Sequence, residues 1–176
     1  MRVRRAAIAA VVVLGVTAPG AQACPGTHAK LKAGNAAKVA KATVCLLNKR
    51  RARAGLRRLK ANRKLRAAAT AHSQDMVDRG YFEHDGPEGD TLFTRAERVG
   101  YLTDSVSLWT LAENIAYGSG SRGTAAGIVK AWMGSSVHRA NILTPSIRDA
   151  GVGLASGMPD GGSGATYTLD LGFARG

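Results

Sequence analysis

The spacing of apolar residues changes partway along this 176-residue chain, and that change restricts the fold more than any other feature. In the first half, apolar positions recur three or four residues apart. Val39, Val44 and Leu47 predict a helix over residues 36–54, stopped by Gly55. Asn62 is placed to cap a second helix ending at Arg79, with Leu65, Ala69, His72 and Met76 as its stripe and Gly80 after it. A short third helix, with Asp90 as the expected cap, aligns Leu92, Ala96 and Val99. Over residues 108–117 the period falls to two. Trp109, Leu111, Ile115 and Tyr117 alternate there, as on a strand with one covered face. Thr124 then caps a fourth helix carrying Ile128, Val129 and Trp132, and a further helical turn begins at Ser135 or Ser136 and ends before Pro145. Residues 150–155 and 165–173 form the arms of a hairpin. Tyr167, Leu169, Leu171 and Phe173 face one way, and Thr166, Thr168 and Asp170 the other. Helices first and paired strands later predict an α+β fold, with helices packed on a small antiparallel sheet. No internal repeat marks a second domain.

The first 23 residues are read as a secretory signal peptide. Arg2, Arg4 and Arg5 open it, an apolar run over residues 6–16 follows, and Ala21-Gln22-Ala23 fits the small-residue cleavage rule. The run is shorter than the ~20 residues a membrane span needs. Residues 24–35 are expected as an extended or mobile lead-in, and residues 36–176 as one domain. An exported chain meets an oxidising environment, which favours a bridge between the two cysteines, Cys24 and Cys45; two free thiols are the other reading. With no histidine beside them, these cysteines do not make a zinc site.

Charge is segregated. Residues 24–70 hold fourteen Lys or Arg and no Asp or Glu, whereas residues 71–176 hold eight against twelve. A one-signed segment attracts polyanions. For an exported protein, that means an anionic cell-envelope polymer or a lipid surface touched peripherally. Nucleic acid fits the charge but not the location, and the basic runs carry no interleaved aromatics to stack bases. A solvated helix face that aids solubility is the competing reading.

Glu113 stands out among the polar residues, because its place in the strand pattern puts a carboxylate on a covered face. That is costly unless the group is paired. A functional role and a structural link to a backbone amide or an arginine both follow from the pattern. His84 lies in a turn after a helix stop, and His138 in the first turn of the last helix; neither stands out alone, and no spacing rule joins them. His72 belongs to the helical stripe and reads as a packed, hydrogen-bonded core residue. Trp132 reads as core, and His28 as a bystander. Ser136 and His138 are two apart on a helix, where side chains do not face each other, so a serine nucleophile activated by His138 is disfavoured.

Three ordered segments carry a family resemblance: Tyr81-Phe82-Glu83-His84, Ala112-Glu113-Asn114-Ile115-Ala116, and residues 131–143 with Trp132, Ser135, His138 and Asn141. With Gly151-Val152-Gly153 and the closing strand, they resemble the signature of the CAP superfamily of secretory, venom-allergen and pathogenesis-related proteins, in its short bacterial form. The resemblance implies a secreted α-β-α sandwich in which His84 and His138 face one cleft and hold a divalent metal, zinc foremost. Glu113 would orient a histidine or a metal-bound water, and it is the candidate catalytic residue. Ser135 stands where animal and plant members usually place a second glutamate, which disfavours any mechanism needing two acids. Asn114 and Asn141 match the motif and are read as loop-fixing residues. The expected function is an extracellular or cell-envelope binding module. A metal-dependent, peptidase-like hydrolase with Glu113 as base and a carrier of small lipids or sterols are the alternatives.

Overall fold

The computed structural model describes residues 23–176; the expected signal peptide, apart from its last residue, lies outside them. Five helices and four strands follow in the order α1 (Ala36–Arg53), β1 (Lys60–Ala61), α2 (Arg63–Arg79), α3 (Leu92–Arg98), β2 (Leu108–Gly118), α4 (Ala125–Gly134), α5 (Ser136–Leu143), β3 (Asp149–Ser156) and β4 (Ala165–Arg175). The strands form one sheet in the order β1-β3-β4-β2. Only the β1–β3 pair is parallel. Helices α1, α4 and α5 lie on one face and α2 and α3 on the other, which is the expected sandwich.

Local chemistry sets the helix ends. The Asn62 side chain accepts from the Lys64 and Leu65 amides, and Gly80 (φ 69°) closes α2 in the left-handed conformation. Thr124 caps α4 by accepting from the Gly127 amide. At α3 the expectation is corrected. Thr91, not Asp90, is the cap, and the Asp90 carboxylate instead receives the Thr94 hydroxyl and Arg98. The two-residue strand β1 is too short to show a period and has no counterpart in the sequence reading.

The main core lies between the sheet and the α1/α4/α5 layer, where Val39, Leu47, Ile128, Trp132, Val152, Tyr167, Leu169 and Leu171 are buried together. Across the sheet, α2 rests directly on β3. A Cβ on Gly151 would enter the α2 backbone at Leu65 and Arg66, and one on Gly153 would enter it at Ala69 and Thr70. The polar row of β4 is therefore buried too. Thr166, Thr168 and Asp170 have no measurable exposure, and Ser73 of α2 donates its hydroxyl proton to Thr168 at 2.8 Å. Residues 24–35 run as turns against the domain. Ala29 and Leu31 touch the core, the Ala126 amide donates to Thr27, and a Cys24–Cys45 disulfide fastens the segment to α1. Closing a loop of this length contributes about 3 kcal/mol on the chain-entropy account.

Candidate functional site

Glu113 sits at the centre of β2, directly opposite Asp170 of β4, and that row of the sheet faces α2 and α3. The covered-face expectation holds for Glu113 and Ile115, both buried. It fails at the strand ends, where Trp109 and Tyr117 are exposed. No helix spans the full strand there, so Trp109 packs on Phe93 and Tyr117 on Phe82 at the surface.

Both oxygens of Glu113 are engaged. Oε1 lies 2.8 Å from His84 Nδ1, and Oε2 accepts from the Arg95 guanidinium at 2.6 Å. Burial pushes the Glu113 carboxyl up, but the His84 hydrogen bond and the Arg95 charge outweigh it, so the group lies below the ordinary glutamate range. The bond to Glu113 raises His84 in turn. The His84 side chain is 56% exposed although its Nδ1 edge is seated on Glu113, so the opposite edge of the ring faces outward.

Arg95, on α3, has no counterpart in the sequence reading, which allows an arginine partner for Glu113 without locating it. It is buried, and it also donates to the Asp90 carbonyl at 2.5 Å and to the His84 carbonyl at 3.2 Å. One guanidinium thus fixes the acid and the backbone of the loop bearing His84. His72 is the packed histidine expected. Burial lowers it, leaving a neutral ring whose Nε2 donates to the Glu83 carbonyl at 3.1 Å, 3.9 Å from Glu113 Oε1. It steadies the same loop from the α2 side. In the sequence Asp170 reads only as the polar side of a strand. It is fully buried, with both carboxyl oxygens lacking a hydrogen-bond partner. Burial, with Glu113 beside it, raises its pKa well above the ordinary aspartate value.

On the other side of β2, Asn114 donates to the His138 carbonyl at 3.0 Å, and Asn141 donates to the Glu113 carbonyl at 3.1 Å and to the Asn114 side chain at 2.9 Å. Two of these bonds run from side chain to backbone and the third joins the two side chains; rather than fixing a loop, they hold α5, with His138 in its first turn, against the strand that carries Glu113. Burial lowers His138, and the proximity of His84 lowers it further. Ser135 lies between α4 and α5 and makes no side-chain capping bond. Among the described residues, no group of three or more His, Cys, Asp or Glu side chains is arranged to hold a metal.

This three-layer fold, with an acid-anchored histidine at the sheet, defines an SCP-type domain. The family model for cysteine-rich secretory proteins matches residues 44–169, and the chain belongs to that family. A protein of uncharacterised function from Bacillus subtilis, YkwD, is 40% identical over 113 residues, 64% of this chain and 41% of that protein. A solved extracellular protein from Bacillus anthracis containing an SCP domain matches 78% of this chain and 40% of its own, at 29% identity and TM-score 0.58. A solved outer surface protein from Borrelia burgdorferi shares the fold at TM-score 0.64 and 16% identity, covering 83% of this chain and 98% of its own. The chain therefore spans about two fifths of the two Bacillus proteins.

Proposed function

We propose that this is an extracellular binding module in which His84 and His138 take a divalent cation, zinc foremost, rather than a hydrolase. The observation that carries this reading is the double engagement of Glu113. A general base near neutral pH needs a free lone pair and a pKa near the operating value. Glu113 fails the second requirement, its affinity for protons being lowered, and each of its oxygens is already engaged, Oε1 with His84 and Oε2 with Arg95. Its geometry suits a different task, which is to fix the ring of His84 and its Nδ1 proton so that the outward nitrogen is available as a donor. His138, lowered by burial, stays neutral and competent to donate at ordinary pH. A bound cation would supply a Lewis-acidic centre. Ser135, in place of a second acid, adds no base beside it.

The basic segment favours a second contact, with an anionic envelope polymer or lipid surface. Of its fourteen cations, only Arg51 is buried, where it donates to the carbonyls of Arg57, Ile142, Thr144 and Ile147.

Zinc titration by calorimetry, with peptide and wall-fragment cleavage assayed alongside, tests the first reading. We expect binding that weakens as pH falls through the raised pKa of His84 and is lost in His84→Ala and His138→Ala. Undiminished binding in both variants would exclude the site. Zinc-dependent turnover abolished by Glu113→Gln would establish the hydrolase instead.

A further inference from the structure

A groove of about 930 Å³ opens along the β1 edge of the sheet, and it shares no lining residue with the His84–Glu113 site. Ala40, Val44, Leu59 and Val152 give it apolar walls. A smaller hollow continues it past Leu154, with Ala37, Ala40, Arg66 and Val152 common to both. Lys38 and Lys41 of α1, Arg58 before β1, and Arg63 and Arg66 of α2 stand around the groove, and neither hollow is lined by an acidic residue.

The backbone at this edge is unfinished. β1 pairs with β3 through two residues only, Lys60 with Asp149 and Ala61 with Ala150. The Ala150 carbonyl accepts from the Asn62 amide at 2.9 Å, so Ala150 presents its backbone to this edge. Backbone groups alternate edges along a strand, which turns those of Val152 and Leu154 the same way. β1 has ended by then and the chain has turned into α2. Among the described residues, no strand pairs with β3 beyond Ala150 on this side. Val152 lines both the groove and the smaller hollow, Leu154 lines the hollow, and they are 3% and 8% exposed.

We propose that this groove binds an extended acidic peptide segment of a partner protein, which prolongs β1 along the free edge of β3. Three features choose this occupant. The edge offers donors and acceptors at strand spacing, which only another backbone satisfies in full. The apolar walls accept the small or apolar side chains of an alternating strand. The five surrounding cations, with no acid among the lining residues, select carboxylates at the remaining positions. An acyl chain would fill the apolar part but leave the Val152 and Leu154 backbone groups unpaired.

The test uses the oxidised protein and a fluorescent eight-residue peptide alternating Glu and Val, followed by anisotropy. Two further versions carry N-methyl groups on the odd or on the even amides. We expect the parent peptide to bind, one methylated version to keep that binding and the other to lose it. Exchange of the Val152 and Leu154 amides should slow in the complex. The exposed-residue triple variant Lys38→Glu/Lys41→Glu/Arg66→Glu should weaken binding tenfold or more. Equal binding of both methylated versions, or unchanged exchange at Val152 and Leu154, would overturn the proposal. So would a labelled fatty acid that binds where the parent peptide does not.

Discussion

Two carboxyl groups face each other across β2 and β4, and their surroundings drive them apart. Glu113 has Arg95 and His84 and stays ionised. Asp170 is fully buried, and burial together with the negative charge of Glu113 beside it raises its pKa well above the ordinary aspartate value. A raised folded-state pKa stabilises the fold below the unfolded value, about 3.9 for aspartate, and that stability is lost as pH rises through the folded value. Asp170→Asn removes this titration and preserves shape. The melting temperature of the variant relative to wild type is therefore expected to rise progressively as pH increases from about 4 to 8. A difference independent of pH would show that Asp170 titrates normally. Glu113 runs with the opposite sign: its contribution is present above the unfolded glutamate value and lost as pH falls through the lowered folded one. The pair is placed so that one negative charge, not two, faces Arg95.

Among the elements, β3 shows what glycine does here. Gly151 and Gly153 share a face, and α2 lies so close that any side chain there would meet helix backbone rather than movable side-chain atoms. Gly153→Ala must lift α2 from the sheet. It is expected to cost about 3 kcal/mol, at the upper end for overpacking, measured as a lower urea midpoint. Gly134→Ala, at the end of α4 with nothing within 4 Å of the added carbon, should change stability by less than about 1 kcal/mol in the favourable direction. Equal effects of the two would remove the close-approach account. The same elements show what the sequence made legible. Helices with a stripe and a capping residue could be read nearly to their ends, because Asn62, Gly80 and Thr124 act locally. β1 could not be read, since two residues have no period. The two-sided burial of β4 was hidden because Thr166, Thr168 and Asp170 look like a solvent face, and it is Gly153 and Gly151, opposite Thr168 and Asp170, that admit a helix. The site divides in the same way. Glu113 announced itself by polarity on a covered strand. His84 and His138 came only from family resemblance. Arg95 sits on a short helix whose apolar stripe gives no sign that an arginine beside it points inward.

At the scale of the whole molecule, charge is sorted by layer edge as well as along the chain. The basic segment, residues 24–70, builds α1, β1 and the first half of α2. Five of its cations ring the groove on the β1 edge. Glu113, paired with β4, belongs at the opposite end of the strand order. Proposed adhesion to an anionic surface should therefore be a property of the β1 edge, separable from cation binding at His84. Each basic side chain near such a surface contributes about 1 kcal/mol at low ionic strength. Salt removes this attraction as the Debye length falls from about 10 Å at 0.1 M to about 3 Å at 1 M. We expect retention on vesicles containing anionic lipid at about 0.05 M salt, release by about 0.5 M, and none on neutral vesicles. His84→Ala should leave this profile unchanged, whereas Arg58→Glu/Arg63→Glu should shift release to lower salt. Equal retention on neutral and anionic vesicles would show that the fourteen cations are only a solvated surface, and a profile that moved with His84 would join two sites the fold keeps apart.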